Sequence, residues 1–243
     1  MKIVKVKPDS LAEKINLQPG DRLLKINGKR VVDEIDYKFR MTEESLILDL
    51  EINGQFDRVE VEKEYDDDLG VQFEEMKIRE CANNCVFCFV DQNPLNMRKG
   101  LYFRDGDYRM SYLHGHYITM TNMGQNELER IIEQRLSPLY ISVHVTDPEL
   151  RQSLFLYKRD DGLLDKLKFL TDNGIELHTQ IVLMPDINDG AYLLSTLIRP
   201  SLKSVAWRSS IPSSTHKRLM TVVWKELEDD KIHFTTMAQV AFL

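Results

Sequence analysis

Glu80-Cys81-Ala82-Asn83-Asn84-Cys85-Val86-Phe87-Cys88-Phe89 is the stretch on which the reading of this chain turns. It holds all three cysteines of the 243 residues, in the spacing C-x3-C-x2-C. Three is an odd number, and the three are crowded into one short segment. A disulfide framework uses pairs spread along a chain, so this cluster reads instead as metal ligation or redox chemistry.

Thiolates hold iron–sulfur clusters, and a cubane cluster normally takes four of them. Three closely spaced thiolates bind three irons and leave the fourth open, much as a catalytic zinc keeps an unfilled position. The chain has no fourth cysteine, so an open iron follows if a cluster forms. Two other readings of the same residues stay open. One is a structural zinc site of Cys3His type with His114 or His116 as fourth ligand, although such sites usually pair C-x2-C knuckles at two separated places. The other is three buried thiols with no metal at all.

Downstream of the cysteines the pattern alternates strand and helix. Tyr117-Ile118-Thr119-Met120-Thr121 reads as a strand. Asn126 with Glu129 reads as a helix cap, followed by Leu128, Ile131, Ile132 and Leu136 at helical spacing. Leu139 to Val145 is an apolar strand interrupted by Ser142 and His144. Asp147-Pro148 opens a helix, with Pro at its favoured first position. Leu163, Leu164, Leu167 and Leu170 form the apolar face of another helix, which Asn173-Gly174 stops. Ile175 to Leu183 is the next strand. Such a succession with short loops predicts βαβ units and a parallel sheet, whose doubly buried strands account for the near-continuous apolar runs.

Upstream, residues 1–65 read as a small separate β-rich domain. Ile3 to Val6 is a strand, and Ser10 with Glu13 resembles a capping box. Leu17-Gln18-Pro19-Gly20-Asp21-Arg22-Leu23-Leu24-Lys25-Ile26-Asn27-Gly28-Lys29 contains a Pro-Gly turn, a strand and an Asn-Gly hairpin signal. Ser45 to Ile52 and Arg58 to Val61 form a second hairpin around Asn53-Gly54. The acidic run Glu64 to Asp68 predicts an exposed linker near the domain boundary.

Composition narrows the function. The hydrophobic fraction is 42% and the charged fraction 29%, ordinary for a globular protein. The net charge of −7 argues against a nucleic-acid partner without excluding one. Arg98, Lys99, Arg104 and Arg109, interleaved with Tyr102, Phe103, Tyr108 and Tyr112, form a local basic–aromatic stretch. That stretch alone keeps an RNA-modifying role open, with a solvated loop over the cysteines as the plainer reading. The N-terminus lacks the apolar core of a signal peptide, and no run approaches the ~18 apolar residues of a membrane span. The expected location is the cytoplasm, with no membrane partner.

The cysteine motif, with the aromatic Phe87 just before its last cysteine, resembles that of the radical S-adenosylmethionine (SAM) superfamily. The likeness continues through Val90-Asp91-Gln92, Met97 to Phe103, Asp107-Tyr108-Arg109 and His116 to Asn122. The Leu17 to Lys29 segment resembles a PDZ domain. Together they are similar to bacterial PDZ-containing radical SAM proteins that end in a domain of unknown function. The resemblance implies an α/β chain: a PDZ-like domain at 1–65 and a partial (β/α) radical SAM barrel at 71–243. It implies a [4Fe–4S] cluster on Cys81, Cys85 and Cys88, whose open iron is chelated by SAM. Reductive cleavage of SAM would then yield a 5′-deoxyadenosyl radical that abstracts hydrogen from a substrate. It also implies a low-potential electron donor of flavodoxin or ferredoxin type.

Within that resemblance, Phe87 and its backbone are expected near the adenine. Thr121 and Asn122 are expected at the end of the second strand, where the superfamily holds the SAM amino group with a Gly-Gly-Glu-like segment that this chain lacks. Ser142 and His144 alternate on one strand and are expected to point into the barrel as SAM or substrate contacts. His178 and Gln180 alternate likewise on the next. After Asp189-Gly190 the resemblance stops. The segment Trp207 to Arg218 is polar and breaks the βα rhythm, and Leu219 to Leu227 reads as a helix. Fewer strands than the usual six can be counted, so a truncated chain without the C-terminal domain is expected. The competing class is a non-catalytic PDZ-type adaptor whose N-terminal domain binds a partner's peptide by strand addition.

Overall fold

The computed structural model describes residues 1–197 together with the strands at 206–210 and 234–236. These fall into two units, Met1–Lys77 and residues from Ile78 onward.

In the first unit the two Asn-Gly pairs set the sheet. Asn27 and Gly28 have φ of +49° and +76°, and Asn53 and Gly54 have +51° and +81°. Two successive left-handed residues make the turn whose twist matches a two-residue hairpin, which is why Asn-Gly occupies both. The first turn joins β2 (Arg22–Ile26) to β3 (Lys29–Arg30), and the second joins β4 (Ser45–Ile52) to β5 (Gln55–Glu62). The antiparallel sheet runs β3-β2-β4-β5. On β4, Leu46, Leu48 and Leu50 alternate inward and meet Leu23, Ile26 and Val61 in the core.

Two short helices close this unit. Ser10 caps α1 (Leu11–Lys14) by accepting from the Glu13 N–H, while the Glu13 carboxylate takes the Asp9 N–H at 2.7 Å. Asp33 caps α2 (Glu34–Arg40) through the Asp36 N–H at 3.0 Å. The acidic run is not a bare linker. The Tyr37 hydroxyl donates to Asp68 and accepts from the Leu69 N–H, binding the run to α2. Beyond it, β6 (Val71–Phe73) returns to pair antiparallel with β1 (Ile3–Val6). Residues 71–77 therefore go with the first unit, and the division lies at Lys77 rather than in the acidic run.

The second unit carries α3 (Tyr108–His114), α4 (Gln125–Glu133), β7 (Leu139–Ser142), α5 (Pro148–Phe155), α6 (Leu163–Asp172), β8 (Leu177–Val182), α7 (Gly190–Leu197), β9 (Ala206–Ser210) and β10 (Phe234–Thr236). Its described strands are all parallel and run in chain order, β7-β8-β9-β10. Leu163, Leu167 and Leu170 of α6 are fully buried, as the leucine spacing predicts. Each such side chain contributes roughly 1.5–3 kcal/mol. The Asp147 cap and the Pro148 start of α5 also follow the sequence reading.

Several expectations are corrected here. The strand expected at 117–121 reduces to a single parallel bridge, Ile118 to Ile141, because Met120 turns to φ +60° and ends the extended run. Thr121 and Asn122 therefore lie in a turn beyond it. The helix cap is Gly124 rather than Asn126, with the Glu127 carboxylate accepting the Gly124 N–H at 2.6 Å. The strand with Ser142 stops at that residue. His144 has φ +59°, and both Val143 and His144 donate to the Gln180 carbonyl, so the simple alternation that put Ser142 and His144 on one face ends. The polar Ala206–Ser210 segment is a parallel strand beside β8, where the sequence showed a broken rhythm. No parallel strand is described directly before the cysteines; Glu80 makes one antiparallel bridge to Asp105. The described residues show four parallel strands and one parallel bridge rather than a closed barrel, and the helix read at 219–227 lies outside the described residues.

Candidate functional site

The cysteine loop is held by three sets of backbone contacts. At its start, the Cys81 N–H donates to the Arg104 carbonyl at 2.7 Å, and Gly106 donates to Arg79 at 3.1 Å. The two segments run so close that a Cβ on Gly106 would stand 2.6 Å from the Cys81 Cα. In its middle, Asn84 and Val86 donate to the carbonyls of Phe155 and Leu154, at 3.2 and 3.1 Å. At its end, Cys88 donates to Cys85 at 3.1 Å and Asp91 to Cys88 at 3.2 Å, coiling the last cysteine back toward the second.

All three cysteines are free and half-buried. Burial, followed by the nearby Cys81 and Cys88, pushes the Cys85 thiol up to about 12. The three sulfurs thus share one electrostatic environment. Two guanidinium groups act on them electrostatically. Arg104 acts on Cys81 and Cys88, and Arg151 on Cys85. Arg104 also clips the loop, reaching both oxygens of Asp91 at 2.5 Å and the Asn83 carbonyl at 3.2 Å.

Among the described residues, no three His, Cys, Asp or Glu side chains form a group that could hold a metal ion as they stand. A mononuclear zinc site needs its ligands to converge on one point, whereas a cubane spreads three thiolates over three irons. His116, offered as a fourth zinc ligand, has its Nδ1 2.6 Å from Asp105. Three free thiols on one loop fit an iron–sulfur cluster by the chemistry of the donor set.

The Phe87 ring leans edge-on against His144, with centroids 4.8 Å apart, and lies 6.2 Å from Phe155. His144 is buried, and its Nδ1 accepts the Val182 N–H at 3.0 Å, which fixes the neutral ring with its proton on Nε2. Burial, with the Arg151 charge adding to it, pushes the imidazole down to about 3. Phe87 and His144 are therefore brought together at the carboxyl end of β7, under the cysteine loop. Ser142 is buried at that end, and its carbonyl accepts from Arg151.

Thr121 forms a closed triangle with two residues. Its hydroxyl donates to Asn83 Oδ1 at 2.9 Å, Asn83 Nδ2 donates to Thr119 at 2.8 Å, and the two hydroxyls are 3.0 Å apart. The triangle ties the C-x3-C gap to the segment after Ile118. Asn122 sits apart from it, its carbonyl accepting from Arg79 at 2.8 Å and its amide reaching Gly106 at 3.4 Å. In the basic–aromatic stretch, Arg104 pairs with Asp91, and Arg109 with Asp107 at 2.6 Å.

Sequence reasoning missed Asn83, Arg151 and Asp161. Asn83 gave a faint signal by lying inside the cysteine motif. Arg151 precedes Leu154 and Phe155 by three and four residues, so it falls in the apolar stripe of α5, where an unpaired Arg is out of place.

The profile of a family described as Radical SAM-like domain matches residues 63–206, more than half of the chain. That of a PDZ domain matches residues 2–54. No curated protein matches the chain.

Proposed function

We propose, from the premise that this chain belongs to the Radical SAM-like domain family, that it binds a [4Fe–4S] cluster and SAM and catalyses a radical reaction on a substrate of unknown identity. The observation that carries this reading is the free, half-buried thiol triad on one loop, whose Phe87 packs against His144 just past the carboxyl end of the parallel strand β7. Ligands of parallel α/β sheets bind at that end. Cys81, Cys85 and Cys88 would hold the cluster. When bound, the cluster and SAM supply one-electron cleavage of the sulfonium bond and a 5′-deoxyadenosyl radical. The sequential parallel order β7 to β10 supports a partial barrel rather than a doubly wound sheet, whose strand order reverses.

The chain's own residues would bind, orient and shield. The Asn83–Thr119–Thr121 triangle and the Arg104 clip hold the loop, and Phe87 with its backbone lines the adenine side. Thr121 spends its hydroxyl within the triangle, so any contact it makes with SAM uses a remaining lone pair. His144, kept neutral, keeps an apolar ring edge beneath Phe87. A low-potential donor of flavodoxin or ferredoxin type would deliver the electron in a reducing compartment such as the cytoplasm. Among the described residues no helix is long and apolar enough to cross a membrane.

A second reading concerns the first unit. Among the described residues β6 is hydrogen-bonded on one edge alone, to β1, and a peptide strand would add to its other edge. The PDZ-like unit would then bring a partner's peptide to the chain, and an adaptor without catalysis would need nothing else.

The test is anaerobic reconstitution with iron and sulfide, then metal analysis and EPR after dithionite, with and without SAM. About four irons per chain and a signal that shifts with SAM support the radical reading, and Cys81→Ser, Cys85→Ser and Cys88→Ser should each abolish it. One zinc per chain, or a signal indifferent to SAM, overturns it in favour of the adaptor.

A further inference from the structure

Arg151 lies on the inward stripe of α5 and is 3% exposed. A guanidinium keeps its charge at any working pH, so its burial requires partners on every side. Its Nε meets Asp161 at 2.7 Å, and the Asp161 side chain is only 4% exposed. Nη2 donates to the Thr119 carbonyl at 2.8 Å, and Nη1 donates to the carbonyls of Ser142 and Val143. The guanidinium carbon stands 4.4 Å from the centroid of the Phe155 ring. One charge thus ties the end of β7 and the segment beside it to α5.

The last turn of the same helix carries the cysteine loop. The carbonyls of Phe155 and Leu154 accept from Asn84 and Val86, the two neighbours of Cys85. Cys85 is therefore suspended from the carboxyl end of α5, where the helix dipole presents partial negative charge. Arg151 lies over the ring of Phe155, whose carbonyl holds Asn84, so its charge stands beside the Cys85 limb.

We infer that Arg151 is a positioning residue for the Cys85 limb of the thiol triad, and that its charge, partly offset by Asp161, sets the reduction potential of a cluster held there. The inference rests on the cluster reading above. Potentials of iron–sulfur centres follow the local charge, and a fixed cation favours the reduced, more negative state. Arg151→Met keeps the stem and removes the cation, so the potential moves negative. Asp161→Asn keeps a hydrogen-bond partner and removes the anion, so the potential moves positive. Arg151→Lys keeps the charge but not the fork that reaches three carbonyls. It leaves the potential near that of the wild type and lowers the irons retained per chain.

The experiment is an EPR-monitored titration of the full chain, reconstituted anaerobically, with dithionite supplying one electron per cluster through mediators. Wild type and the three variants are compared, with iron measured in each. Opposite shifts for Arg151→Met and Asp161→Asn support the inference, because mere loosening of the loop moves both the same way. Shifts of the same sign, or none, in proteins that hold wild-type iron overturn it. Should Arg151→Met lose its iron, Asp161→Asn and Arg151→Lys decide. A positive shift in the first with none in the second upholds the inference, and any other pair of results overturns it. A wild-type chain that takes up no iron overturns the cluster reading, and this inference with it.

Discussion

Lowering the pH below 6.5 should destabilise the second unit through His144, and His144→Gln should remove that dependence. The ring is buried and its Nδ1 already accepts from Val182, so the folded chain holds it neutral down to about 3 against an ordinary 6.5. Between those values the unfolded chain binds a proton that the folded chain does not. Stability is therefore full above 6.5 and falls as pH falls, by about 1.4 kcal/mol per unit. At pH 5 the loss from this one group is about 2 kcal/mol. Gln can accept the Val182 N–H but does not titrate. The variant loses ring contacts with Phe87 and Phe155, so it is weaker at pH 8. Its disadvantage should shrink by about 2 kcal/mol on going from pH 8 to pH 5. Urea unfolding of the metal-free full chain, followed by tryptophan fluorescence, reads this directly. Trp207 and Trp224 are the two tryptophans, and both fall beyond Lys77 in the sequence, outside the first unit. Stability profiles for wild type and variant that run parallel from pH 8 to pH 5 would refute the reasoning.

Three further outcomes test the site and its frame. Gly106→Ala puts a Cβ into the Cys81 backbone and should cost about 1–3 kcal/mol while cutting iron uptake; wild-type stability and iron would show that the approach of the two segments relaxes freely. Thr121→Val leaves the buried Asn83 Oδ1 without its donor and should cost about 1–3 kcal/mol in the same fluorescence assay. An unchanged midpoint would mean that the triangle holds nothing. In the first unit, Gly54→Ala forces a Cβ into a left-handed turn and should cost about 1 kcal/mol. Hydrogen exchange of the β4 and β5 amides measures it, and unaltered protection would exclude strain at the turn.

The spacing of the cysteines, the two Asn-Gly turns and the Asp147-Pro148 cap were legible because each is a short-range feature. Their geometry is fixed by residues a few positions apart. The candidate SAM contacts were less so. Alternation assumed that Ser142 and His144 belong to one regular strand, and a single left-handed residue at 144 ended that assumption. The same happened at Met120, which shortened the strand meant to present Thr121 and Asn122. Positive φ at a non-glycine residue is rare and leaves no mark in a hydropathy pattern.

The sequence by itself determined that three thiols share a loop, that a β-rich unit precedes it and that strands and helices alternate after it. These follow from local propensity and spacing. Only the tertiary structure decided that β6 belongs to the first unit, through pairing with β1. It alone joined Asn83 to Thr119, 36 residues away, and Arg151 to the Thr119 carbonyl, 32 residues away. The physical reason is burial. A polar group removed from water must find a partner wherever the fold brings one, and that partner is chosen in space rather than along the chain.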